Sequence, residues 1–130
     1  MRSPLYAILA AAALTSCSTT PVEEATGPSV RSLIASMEYE EALTVSADLV
    51  ASVPSQANLR EHKAATVAWL MDQGRQLTFA DKDMEALLTF EQALLLEPSS
   101  DVPLTWIGKT RGKMASASFV LAMELHANED

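Results

Sequence analysis

Residues 70–98 read LMDQGRQLTFADKDMEALLTFEQALLLEP, and this stretch decides the fold. Its first part closes a longer run in which Leu59, His62, Thr66, Trp69/Leu70, Gln73 and Leu77 recur at helical spacing, predicting a helix over 56–79. Gly74 is the weak point of that helix, because an isolated helical glycine costs on the order of 1 kcal/mol against alanine. Close approach of a second helix supplies a reason for it. Asp81-Lys82-Asp83 makes the turn, with one of the two aspartates placed to cap the second helix. That helix, over 84–97, carries Leu87, Leu88, Glu91, Leu94 and Leu95 on one stripe and Ala86, Phe90 and Ala93 on another. Two filled stripes predict a helix sandwiched between two neighbours. Pro98 ends it.

The flanking segments repeat this logic. Ser29 caps a short helix carrying Val30, Leu33 and Ile34 on one face. After a joint at 36–38, Tyr39, Ala42/Leu43, Ser46, Leu49/Val50 and Val53 keep a 3.6-residue rhythm until Pro54. Glu38, Glu40 and Glu41 suit the positive end of that helix. Beyond Pro98, Asp101-Val102-Pro103 is a helix start. Leu104, Ile107, Met114, Leu121 and Leu125 then share a stripe, widened by Phe119 and Ala122. One long capping helix over 101–127 is expected, with two helices broken at Gly112 as the alternative. Val and Thr never alternate with polar residues over a strand's length, so the fold class is all-α.

Leu70, Gly74, Leu77, Ala86, Phe90, Ala93 and Pro98 resemble, at matching separations, the consensus of the tetratricopeptide repeat. Gln73 and Asp83 depart from it, where that family has a leucine and an aromatic residue. Leu104 and Gly108 stand thirty-four residues after Leu70 and Gly74, the period of the family. Tyr39-Glu40-Glu41-Ala42-Leu43 with Pro54 resembles the second helix of a repeat, although the helix before it is short. The resemblance implies a short solenoid of antiparallel hairpins: a degenerate pair over 30–54, a central repeat over 56–98 and a capping helix over 101–127. Arg111 and Glu124 break the pattern toward the C-terminus.

Upstream, residues 5–14 (LYAILAAAAL) form an apolar run of ten after Arg2, too short to span a bilayer and the right length for a secretory leader. Leu14-Thr15-Ser16-Cys17 resembles the bacterial lipobox. That implies cleavage after residue 16, lipidation of Cys17 and a membrane anchor; Ser18 after the cysteine points to the outer membrane, facing the periplasm, rather than the inner. A plain signal peptide with Cys17 as a stray thiol is the alternative. Residues 18–29 (STTPVEEATGPS) complete a flexible tether over 17–29.

Composition and motifs exclude more than they include. The 130 residues carry a formal charge of −8, which argues against nucleic acid and against an anionic lipid surface. Gly108-Lys109-Thr110 has Pro103 where a phosphate loop needs its first glycine, so no nucleotide is expected. His62 and His126 stand far apart, with His62 read as part of a solvated face beside Glu61 and Lys63; no metal or other cofactor is expected. No nucleophile elbow or paired catalytic carboxylate is present, so the chain is not read as an enzyme.

The first helix of each tetratricopeptide pair lines a concave face. By that resemblance Met71, Arg75, Thr78 and Phe79 face a groove with Thr105, Lys109 and Lys113, for an acidic peptide segment or a free C-terminus of a protein partner. The expected function is a membrane-anchored periplasmic scaffold that assembles or localises an envelope complex. The alternative is a structural envelope lipoprotein that self-associates through apolar helix faces without a groove.

Overall fold

A computed structural model describes residues 27–129 of the chain. Among them lie five α-helices and no strand: α1 Val30–Ala35, α2 Tyr39–Ser52, α3 Gln56–Phe79, α4 Asp83–Leu96 and α5 Asp101–Asn128. The all-α expectation holds, and α5 is one unbroken helix through Gly112. The leader, Cys17 and the tether up to residue 26 lie outside the described residues.

The helices pack in sequence order. α1 lies on α2 and α3, α2 on α3, α3 on α4, and α4 on α5. The result is a row of antiparallel hairpins closed by a long C-terminal helix. Two apolar clusters follow this order. Val30, Leu33, Ala42 and Ala65 join the first three helices. Val67, Leu70, Met71, Ala86, Phe90, Ala93 and Ile107 join the last three.

Local chemistry sets the boundaries. Ser29 Oγ accepts the Ser32 N–H at 3.1 Å, and Ser55 Oγ accepts the Asn58 N–H at 3.1 Å, so both first helices of a pair begin on a serine cap. Asn58 Nδ2 also donates to the Val53 carbonyl at 2.8 Å, tying the end of α2 to the start of α3. The two hairpin turns are built alike. Met37 (φ 63°) and Asp81 (φ 60°) both adopt the left-handed conformation. Glu38 N–H then bonds back to Leu33 O at 2.9 Å, and Lys82 N–H to Leu77 O at 2.9 Å, the helix-ending motif that satisfies late carbonyls. Neither Asp81 nor Asp83 caps α4, contrary to the expectation: the left-handed turn puts Lys82 at the cap position, and it makes no side-chain cap bond.

Aligning the turns at Met37 and Asp81 sets Ala42 on Ala86, Ser46 on Phe90 and Pro54 on Pro98, each forty-four residues apart. Ala42, Ser46, Ala86 and Phe90 are all fully buried. The same alignment sets Val30 on Gly74. Thus the first pair has a large residue on its first helix and a small one on its second, and the central pair has the reverse. Volume is conserved by exchange, as close packing requires.

Candidate functional site

The interlock of α3 with α4 sets the frame for the residues expected to line a groove. A β-carbon on Gly74 would fall within 2.8 Å of three carbons of the Phe90 ring, so only glycine admits that ring at this depth. Phe90 then stacks on Trp106 of α5, centroids 5.5 Å apart at 25°. One side chain therefore links three helices. Leu70, Ala86 and Ala93 are buried around it, Leu77 is half-buried, and Pro98 lies exposed just past the end of α4.

The groove residues divide. Met71 does not face a groove: it is buried at 5% exposure in the core, because Val67, Leu70, Met71 and Gly74 form one inward stripe toward α4 and α5. Phe79 is 78% exposed at the end of α3, and Thr105 is exposed on α5. Arg75 is partly buried and leans on Asp72 of its own helix at 3.5 Å. Thr78 donates its hydroxyl to Gly74 O at 2.9 Å. Lys109 holds its ammonium 5.1 Å over the Trp106 ring and, among the described residues, has no carboxylate within ion-pair distance.

Lys113 has a different task from the one its sequence position suggests. Its ammonium donates to Thr78 O at 3.2 Å and to Asp81 Oδ1 at 2.7 Å, and pairs with Asp83 Oδ1 at 3.0 Å. The buried Asp83 oxygen depends on this ammonium alone. A cation from α5 thus sits between the C-terminal carbonyls of α3, whose dipole favours it, and the carboxylates of the turn and first residue of α4, which offset the positive end of that helix. The hydrogen bond and charge of Lys113 hold the Asp81 carboxyl below the usual carboxylate range, and the Asp81 and Asp83 contacts raise Lys113. It clamps a turn and is not a free ligand for a partner. Arg111 is likewise taken, by Glu91 at 3.2 Å.

The other repeat-packing positions of α5 are open. Leu104 is 49% exposed and nothing lies within 4 Å of a β-carbon on Gly108, so neither packs as its counterpart in α3 does. The reason is that α5 runs straight on where a turn and a second helix would have covered them. Residues 115–128 are exposed throughout. Leu88 and Leu95 of α4 are also exposed, since α3 and α5 occupy adjacent sides of that helix and leave the third open.

Sequence reasoning missed one polar contact. Ser46, fully buried on α2, shares a 2.9 Å hydrogen bond with His62 Nδ1 of α3 and another with Leu43 O. His62 is partly buried between helices and does not belong to a solvated face. Its place in the Leu59, His62, Thr66 rhythm was the signal.

Among the described residues, three of the shallow concavities are similar in size, about 400 to 420 Å³ each. The first, between α1 and α3, is lined by Val30, Ile34, Ala57 and Ala64 with Arg31, Arg60 and Glu61 around them. Among the described residues, no three His, Cys, Asp or Glu side chains cluster as a metal site, and no helix is long and apolar enough to cross a membrane. Compared with known protein families, curated proteins and solved structures, the chain matches none of them.

Proposed function

We propose that the chain is a lipid-anchored scaffold of tetratricopeptide type, which holds a protein partner near the outer membrane on its periplasmic side. The observation that carries this reading is the Gly74–Phe90 interlock. It places a repeat-like hairpin between two further helical units, an architecture whose usual use is an extended binding surface. Arg75, Phe79, Thr105 and Lys109 supply the partner surface, with Lys113 fixing the turn behind them. An exposed aromatic at the end of α3 and a cation stacked on Trp106 of α5 suit an acidic segment or a C-terminal carboxylate carrying an apolar side chain. Cys17 supplies the anchor, and residues 17–29 supply the reach.

Two experiments test the two halves. Cys17→Ser is expected to abolish acyl labelling and to release the protein from the membrane fraction; unchanged membrane association would sink the anchor. In crosslinked pull-downs from membranes, one heterologous partner is expected to recur and to be lost with Lys109→Glu or Arg75→Glu. A partner retained by both variants would remove the groove from the binding surface.

A further inference from the structure

The helix α5 contains both halves of the interlock that joins α3 to α4, written into a single straight rod. In the hairpin, Leu70 and Gly74 of one helix receive Ala86, Phe90 and Ala93 of the next. In α5, Leu104 and Gly108 repeat the receiving pair, while Ala115, Phe119 and Ala122 repeat the inserting triad with the same separations of four and three residues. Gly108 and Phe119 lie eleven residues apart, about 20° from alignment on the helix, so both face the same way. A continuous helix cannot fold Phe119 back onto its own Gly108. A second copy can bring it there.

We propose that two copies of this chain pair through α5, antiparallel and two-fold symmetric, with Phe119 of each seated over Gly108 of the other. The register that makes one such contact makes the other, as an isologous interface requires. The shared stripe is Leu104, Gly108, Gly112, Ala115, Phe119 and Met123. It is narrow at its centre and bulky toward its C-terminal end, so reversing one helix on the other sets large residues against small ones. A β-carbon on either glycine would meet nothing within 4 Å, and Phe119 and Met123 are 66% and 59% exposed. The hollow and the side chains to fill it are thus both vacant in one copy.

Self-complementarity and charge favour a second copy over other occupants. Three large and three small exposed residues make a stripe at the low end of interface sizes, which fits a concentration-dependent pairing of identical chains. From Met114 to the end of α5 there is no Lys or Arg, which disfavours an anionic membrane as well as an acidic peptide. In the paired register Asp101 opposes His126 and Lys109 opposes Ser118, so no like charges meet across it. This proposal goes beyond the scaffold reading and uses the stripe instead of the cationic groove; either can fail with the other standing.

The test is sedimentation equilibrium of the full chain carrying Cys17→Ser, from ~1 to ~100 µM, with circular dichroism as the folding control. A monomer–dimer equilibrium is expected. Phe119→Asp and, separately, Gly108→Phe should each weaken it at least tenfold without loss of helicity, because Phe119 is 66% exposed and a β-carbon on Gly108 meets open space. Leu121→Asp, on another side of the helix, should leave it intact. A spin label on the Cys17→Ser, Asn128→Cys chain should report a separation of roughly 40 Å in the dimer, from the rise of 1.5 Å per residue, against roughly 10 Å for a parallel pair. A monomer at 100 µM, as expected if the face serves a different protein, overturns the proposal. So does a dimer that Leu121→Asp breaks and Phe119→Asp spares, or a short label distance.

Discussion

The ring of Phe90 lies in the space that a side chain at Gly74 would occupy, and that single exclusion sets the distance between α3 and α4. Gly108 stands thirty-four residues further on with nothing above it. The two glycines share a sequence context and differ in their surroundings, so they should respond oppositely to the same change.

Gly74→Ala is expected to destabilise the protein by about 1–3 kcal/mol, the usual cost of overpacking, even though alanine favours helix by about 1 kcal/mol. Gly108→Ala, made in the Phe119→Asp background to keep the chain monomeric, should instead stabilise by up to about 1 kcal/mol. Urea denaturation of the two variants against their parents measures both. Stabilisation by Gly74→Ala would mean that α4 does not press on α3 at that point.

Phe90→Ala removes a fully buried ring that reaches α3, α4 and Trp106 together. A loss of about 3–5 kcal/mol is expected, much of the 5–15 kcal/mol that holds a typical domain. Thermal melts should show a single, strongly lowered transition, with the Trp106 environment lost in near-ultraviolet dichroism. Trp69 of α3 packs against the same apolar cluster without stacking on the ring, so its signal should change less than that of Trp106.

The stabilisation from Asp81 and Lys113 is lost at both ends of the pH scale. The folded-state pKa of Asp81 is depressed, by the Lys113 hydrogen bond first and its charge second. Its contribution is therefore present above the unfolded value, near 3.9, and is lost as pH falls through the folded value. Lys113 is raised, so its contribution is present below about pH 10.4 and is lost as pH rises through the folded value. Between these limits stability should be flat in pH as far as this pair is concerned. Carboxyl chemical shifts should titrate Asp81 below the ordinary carboxylate range, returning to it in Lys113→Met. An unshifted Asp81 in the parent chain would mean that α5 does not clamp the turn. The effect should weaken with salt, since both groups are open to solvent.

Much of the fold was legible in the sequence because helical periodicity and turn residues act locally. The span 56–79 and the α3–α4 and α4–α5 joints follow from the apolar rhythm, Asp81 and Pro98. Gly74 opposite Phe90 also follows, since a costly glycine needs a close neighbour. Periodicity cannot tell whether a given face is covered. Met71 and Leu104 both read as helical face residues, yet one is in the core and the other in solvent, because a helix lies over the first and none over the second. Nor does spacing show where a long side chain reaches. Lys113 belongs by position to a cationic surface and is drawn by Asp81, Asp83 and Thr78 O into a structural clamp. Ser46 and His62, sixteen residues apart on separate helices, meet only because α2 lies on α3.

A scaffold of this kind requires that the surface bearing Phe79 and Lys109 receive another protein. The most direct measurement places a photo-crosslinking amino acid at Phe79, which is 78% exposed, and separately at exposed Lys63 near the other end of α3, in cells that make the full chain. A discrete adduct with one heterologous protein from position 79, absent from position 63 and lost with Lys109→Glu, is the predicted result. Adducts of equal yield from both positions, or adducts from position 79 that survive Lys109→Glu, would contradict it.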